Sequence, residues 1–284
     1  MFEAFWAWLA ARLSAYIGSY AAATAAAIEP VAVTLGTLYV MVWGYLHLKG
    51  AIEEPFFSGA VRILTLAVVF GVGLRLWAYH DVLVATFYDA PVQLSAAVIG
   101  ASDPVGTVDT IWERGGEVAT TLWERGGVFS GDLGYYLAAL AVYVLMGLVC
   151  VYAMFLMALS RIALAVLLAI GPLFILLLLF SATRRFFEAW LQQLANYALV
   201  SLLTVLVAGL MLEVVQAYAE QTSARGSAIL TVDALNMLLV AGLVFLVFQQ
   251  VMPIAARLSG GIALSSLGSL GRVARHRVPS PTGE

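Results

Sequence analysis

Residues 135–180 read YYLAALAVYVLMGLVCVYAMFLMALSRIALAVLLAIGPLFILLLLF and run directly into Ser181-Ala182-Thr183-Arg184-Arg185-Phe186-Phe187-Glu188-Ala189-Trp190. Arg161 is the one charge in those forty-six residues. Two adjacent arginines and an aromatic cluster then arrive together. This is how a membrane span meets a cytoplasmic surface, where Lys and Arg are enriched and aromatic rings sit at headgroup level. Composition agrees: the chain is 63% hydrophobic and 11% charged, with a mean hydropathy of +0.97. A soluble domain is about 45–50% apolar and about 25% charged. These figures describe an all-α polytopic membrane protein.

A crossing needs about 20 mostly apolar residues. Residues 31–48, 61–79, 195–216 and 232–252 each supply such a stretch. The run 135–180 is longer, reaching about 69 Å as one helix at ~1.5 Å rise per residue. It is either one crossing with a long extension or two crossings joined near Ser160-Arg161, giving five spans or six. Gly171-Pro172 interrupts it, and a proline there removes a backbone hydrogen bond and favours a kink.

Residues 1–29 form a separate expectation. Phe2, Phe5, Trp6, Leu9, Leu13, Tyr16, Ile17 and Tyr20 recur at helical three-and-four spacing. That pattern predicts an amphipathic helix, lying in the interfacial plane or packed on the protein's own spans. Glu3 precedes the first apolar residues, so no positive region of a signal peptide is present there.

Charge orients the spans. With five crossings and the N-terminus outside, the cytoplasm receives Lys49, Arg62, Arg184, Arg185, Arg257, Arg272, Arg275 and Arg277. The outside receives the polar loop 80–134, where eight acids face Arg114 and Arg125. Six crossings with the N-terminus inside would export Lys49 and Arg62, a poorer arrangement. Arg62 and Arg75 lie near span ends and can snorkel to headgroups, and Glu213 is placed to be interfacial. If the run 135–180 is one helix, Arg161 lies either at a membrane surface or facing a wet interior, and an intramembrane arginine is a candidate for function or assembly. Residues 254–284 are rich in Gly and Ser, then basic, then rich in Pro, and read as a flexible cytoplasmic tail able to contact acidic lipid.

Catalytic signatures are missing: the sequence has no phosphate-cradling GxxxxGK[ST], no HExxH and no GxSxG. His47, His80 and His276 are scattered, and Cys150 is the single cysteine, so neither a metal site nor an intrachain disulfide is expected. No cofactor site and no enzyme activity follow. Energised transport by this protein would need another subunit to hydrolyse the nucleotide.

The sharpest local feature is a repeat, Ile111-Trp112-Glu113-Arg114-Gly115-Gly116 and Leu122-Trp123-Glu124-Arg125-Gly126-Gly127, displaced by eleven residues. Eleven residues are close to three helical turns, which would place Trp112 with Trp123 and Arg114 with Arg125 on one face. The glycine pairs oppose a long helix at about 1 kcal/mol each. Two short helical turns or a mobile strip are therefore expected. The strip serves as a substrate or partner contact through Trp and Arg, or rests on the membrane through its tryptophans.

Two spans, a large polar loop, then a long apolar run with Gly171-Pro172-Leu173-Phe174, Thr183-Arg184, Phe187 and Trp190-Leu191, followed by two more spans, resembles the TrbL-type polytopic inner-membrane subunit of type IV secretion systems. The likeness covers most of residues 30–255 and is strongest over 171–197. It implies a periplasmic N-terminus, two spans within 30–79, a periplasmic loop at 80–134, further spans within 135–253 and a cytoplasmic C-terminus. It also implies a homo-oligomeric channel base and pilus platform that passes DNA or protein. Partners would be cytoplasmic ATPases, periplasmic scaffold proteins and pilus subunits. Arg184, Arg185 and Trp190 would secure the cytoplasmic end of the third span. The competing reading is a stand-alone secondary transporter or small-solute channel, against which the scarcity of midplane carboxylates weighs.

Overall fold

The computed structural model describes residues 2–50, 56–100, 104–125, 133–180, 182–225 and 231–275. Among these the regular elements are all helical. The chain opens with α1 (Phe2–Leu48) and α2 (Phe56–Leu74), then α3 (Leu76–Tyr79), a π-helical segment (His80–Asp89) and α4 (Ala90–Ile99). It continues through α5 (Pro104–Arg125), α6 (Leu133–Ala169), the short α7 (Gly171–Leu176), a 3-10 turn (Leu177–Leu179), α8 (Arg184–Arg225) and α9 (Thr231–Arg275). Among the described residues, five segments are long and apolar enough to cross a membrane: Ala4–Leu48, His80–Ile99, Leu133–Ala169, Arg184–Tyr218 and Leu238–Gly260. The protein is an all-α polytopic membrane protein.

Element boundaries differ from the sequence expectations in four places. The amphipathic helix and first span are one 47-residue helix with Pro30 inside it. Proline there removes only the bond to the carbonyl four residues back, which membrane helices tolerate, and the Thr34 hydroxyl donates to the Pro30 carbonyl at 2.8 Å. The run 135–180 does not divide near Ser160-Arg161. α6 passes through both residues and stops at Ala169, because Pro172 has no N–H with which to continue the ladder. The segment 80–134 is helical in its described residues, and its first part, His80–Ile99, is itself apolar enough to cross. Finally, α9 remains helical to Arg275, where Leu264, Leu267, Leu270 and Val273 recur every third residue. Residues 276–284 lie outside the described part.

The chain folds as two compact units. The first comprises Met1–Leu13, Asp89–Ala163 and Tyr197–Ala255. Its core is built from helical stripes: Val105, Val108, Ile111, Val118 and Leu122 of α5, Val142, Met146 and Val149 of α6, Val200, Val205 and Met211 of α8, and Val244, Phe248 and Val251 of α9. The sets on α5, α6 and α9 recur at three-and-four spacing or sums of it, as do Val205, Ala208, Met211 and Val215 on α8, so one face of each helix is consumed by packing. Trp6 packs against this core, while Phe5 and Trp8 are exposed.

The second unit comprises Ser14–Tyr88, Leu164–Asn196 and Ala256–Glu284. Ile17, Ala21 and Ala25 form a buried stripe on α1, and Val69, Tyr79, Ile175 and Trp190 are buried elsewhere in it. α2 lies against α7, with Gly73 facing the Ile175 side chain. In lipid, apolar transfer offers little to hold helices together, so close packing and interhelical hydrogen bonds carry the association.

Candidate functional site

Pro172 creates a local problem that the second unit resolves. A helix continuing through residue 172 would send an N–H to the Leu168 carbonyl, and proline has none. The end of α6 also leaves the Leu167 carbonyl without a helical partner, while the Ile170 N–H still reaches the Val166 carbonyl at 3.3 Å. Two aromatic side chains from distant sequence supply the missing donors. The Tyr79 hydroxyl donates to the Leu168 carbonyl at 2.5 Å, and the Trp190 indole Nε1 donates to the Leu167 carbonyl at 2.9 Å. Both aromatic residues are buried. An unsatisfied carbonyl at this depth costs about 1–3 kcal/mol, which gives each of these bonds its value.

The same two side chains explain the glycine before the proline. A Cβ on Gly171 would collide with the Tyr79 hydroxyl and approach Trp190 Cζ2 within 2.9 Å. Only a residue without a side chain lets both donors reach the helix end. Phe174 stacks parallel on the Trp190 ring, with centroids 5.8 Å apart and planes 4° apart, and Phe187 meets the same ring at 5.7 Å. The chain then turns through Phe180, whose backbone is extended. The Thr183 hydroxyl donates to the Leu177 carbonyl at 2.7 Å and thereby sets the start of α8. Arg184 pairs with Glu188 at 3.2 Å on the first turn, and the Arg185 guanidinium lies 5.1 Å from the Phe186 ring centre.

Of the sequence-predicted residues, Gly171, Pro172 and Trp190 therefore meet in one place, with Arg184 and Arg185 on the helix turn leading to it. Tyr79 is the member of the cluster that sequence reasoning misses. Its place at the end of an apolar stretch points to the interface, and the only signal for its role is the pair of carbonyls that Pro172 strands some ninety positions later in the chain.

The repeat lies in the first unit and is not two short turns. Residues 104–125 form one helix, α5, that continues through Gly115 and Gly116. The physical reason is packing: a Cβ on Gly115 would sit 2.6 Å from Met146 Cε, so the glycine allows α5 to approach α6 closely. Trp112 lies 6.3 Å from the Tyr143 ring, and Trp123 meets Tyr136 edge-on at 4.8 Å. Both tryptophans are thus drawn toward tyrosines of α6 while remaining partly exposed. The Tyr143 and Thr120 hydroxyls are 2.9 Å apart. Arg114 pairs with Glu117 at 3.1 Å in the exposed row of α5. The Arg125 side chain and Gly126-Gly127 fall outside the described residues. Arg161 is half-buried on α6, apart in sequence from both clusters.

Among the described residues no three His, Cys, Asp or Glu side chains gather where they could hold a metal ion. The chemistry at the two clusters is neutral hydrogen bonding, ring packing and exposed ion pairing, which positions helices.

A family model described as TrbL/VirB6 plasmid conjugal transfer protein matches residues 36–251, a stretch containing every member of the Tyr79–Trp190 cluster. The chain belongs to the TrbL/VirB6 family. Protein VirB6 of Agrobacterium fabrum is 26% identical over 198 residues, covering 64% of this chain and 62% of that protein. Type IV secretion system protein VirB6 of Bartonella henselae is 36% identical over 56 residues, covering 20% and 17%. An uncharacterized protein of Rickettsia conorii is 25% identical over 184 residues, covering 60% and 20%. The matches thus span less than two thirds of each relative. This TrbL/VirB6 chain is a multi-pass bacterial membrane protein.

Proposed function

We propose that this protein is an inner-membrane channel and platform subunit that helps translocate DNA or protein and assemble the pilus, energised by separate cytoplasmic ATPases. The observation that carries the reading is the family match over residues 36–251, which takes in all the candidate crossings, in part or whole, and the connections between them. In this reading the N-terminus is periplasmic and the C-terminus cytoplasmic. A second crossing within residues 56–99 keeps that parity and leaves α5 on the periplasmic side. The acid-rich composition of 80–134 and the arginines after α7 support this orientation.

The exposed rows of α5 and its neighbour would meet substrate, pilus components or periplasmic scaffold proteins, with Trp112, Arg114, Trp123 and Arg125 as contacts. Tryptophan and arginine are among the side chains most enriched at such surfaces. The Tyr79–Trp190 cluster would fix the entry of α8 beside the cytoplasmic surface through Arg184 and Arg185.

Purification of the tagged protein from its host in mild detergent, with sizing and mass spectrometry, tests the role. Recovery in a large assembly with ATPases and periplasmic scaffold proteins is expected. A small homo-oligomer free of those partners would overturn the reading in favour of an independent transporter. Unaltered substrate transfer after Trp112→Ala with Trp123→Ala would remove the contact role from α5.

A further inference from the structure

The span within α9 carries two adjacent amides at its centre. Gln249 is eleven residues from each end of Leu238–Gly260, and Gln250 follows it. Both are exposed. At about 1.5 Å per residue they lie some 16 Å from either end of the span, near the bilayer midplane. Pro253, also exposed, cannot donate to the Gln249 main-chain carbonyl, so a backbone acceptor joins the two side chains there. Lipid tails offer no hydrogen bonds, and a polar group facing them is expensive.

The surroundings identify what replaces lipid. α9 buries Ala241, Val244, Phe248, Val251 and Ala255 within the protein's own core. Its opposite face exposes Leu239, Leu243 and Leu246, then Gln250 and Pro253. Those positions are spaced four, three, four and three, the spacing of a helix–helix seam. One amide at a core position of such a seam is the device that fixes register and partner number in paired helices. Copies of one membrane protein share a single orientation, so their α9 helices are parallel and present position 250 at the same depth. The amide suits this meeting because it carries both donors and an acceptor, and therefore complements itself. A water-filled passage would also satisfy the amides, but it would not account for three leucines in register on the same stripe.

We infer that the Leu239, Leu243, Leu246 and Gln250 face of α9 is a self-association seam, in which Gln250 of one copy hydrogen-bonds Gln250 of a second copy and Gln249 flanks the pair. The inference rests on the membrane placement of α9 and not on the secretion role.

Cysteine crosslinking in native membranes tests it, in a Cys150→Ala background that removes the single native thiol. Leu243→Cys and Leu246→Cys are expected to form disulfide-linked dimers on mild oxidation, and Ala241→Cys, on the buried face, none. Adding Gln249→Leu and Gln250→Leu to Leu246→Cys is expected to abolish its dimer. Three results overturn the seam: labelling of the Leu246→Cys variant by a charged, water-soluble maleimide without dimer formation, which marks an aqueous passage; neither labelling nor dimer, which marks a lipid face; and a Leu246→Cys dimer that survives loss of both glutamines. The readout is a disulfide between two copies of this chain and not substrate transfer or partner recovery, so its failure is separable from failure of the secretion reading.

Discussion

The indole N–H of Trp190 reaches across 23 positions of sequence to the carbonyl of Leu167, 2.9 Å away, and closes the end of α6. Trp190 therefore does two jobs that substitution can separate. Its ring packs with Phe174 and Phe187, and its N–H satisfies a stranded acceptor.

Trp190→Phe keeps a ring and removes the donor, so it is expected to destabilise by about 1 kcal/mol, within the range measured for hydrogen bonds inside membranes. Trp190→Ala loses the packing as well and is expected to cost about 3–5 kcal/mol. Thermal unfolding of the detergent-purified protein checks the ordering. Equal losses from the two variants would show that the ring packing contributes nothing, and no loss from Trp190→Phe would show the same of the hydrogen bond.

Gly171→Ala forces a methyl group into the Tyr79 hydroxyl and against Trp190, and overpacking of this kind costs about 1–3 kcal/mol. Tyr79→Phe alone strands the Leu168 carbonyl and is expected to cost about 1 kcal/mol. Combined, the two are expected to cost less than their sum, because removing the hydroxyl relieves part of the collision that the methyl creates. A double-mutant cycle on melting temperature measures that coupling. Strict additivity would mean that the tyrosine and the glycine do not meet.

Part of this architecture is legible in the chain before any coordinates. The apolar runs identify membrane helices because a crossing has a length that composition alone can meet, and Pro172 marks the break because its missing N–H is a property of the residue itself. What satisfies the stranded carbonyls is not legible, since Tyr79 is distant in sequence and carries no local signature. The α5 repeat misleads for a related reason. Intrinsic propensity counts Gly115 and Gly116 against a helix, and only the approach of Met146 shows why a glycine is wanted there. The segment 80–99 looks polar through its acids and histidine, His80, Asp81 and Asp89, although the residues between and after them make it apolar enough to cross.

Arg161 and Arg75 offer a contrast in location. Arg75 sits exposed at the interruption between α2 and α3, whereas Arg161 is half-buried within α6, a segment apolar enough to span. Removing a charge held inside a span disturbs more than removing one at a helix end. Arg161→Ala is therefore expected to reduce substrate transfer more than Arg75→Ala, at equal protein levels in the membrane. Equal and negligible effects of both would refute this.

Gly115→Ala should behave unlike Gly171→Ala, although both glycines sit where helices approach closely. The added methyl on residue 115 would lie 2.6 Å from Met146 Cε and 3.1 Å from its Cγ. Methionine is unbranched and adapts to irregular space, so its terminal methyl can swing aside. Alanine also favours the helix over glycine by about 1 kcal/mol, which offsets the cost of moving Met146. At residue 171 the obstacles are two rigid rings whose donors are both engaged, and nothing can move without stranding a carbonyl. Gly115→Ala is therefore expected to change stability by less than about 1 kcal/mol, while Gly115→Leu, too large for Met146 to accommodate, costs about 1–3 kcal/mol. Melting temperatures of the three variants in one detergent decide it. A loss from Gly115→Ala as large as that from Gly171→Ala would mean that α5 and α6 are held as rigidly as the break between α6 and α7.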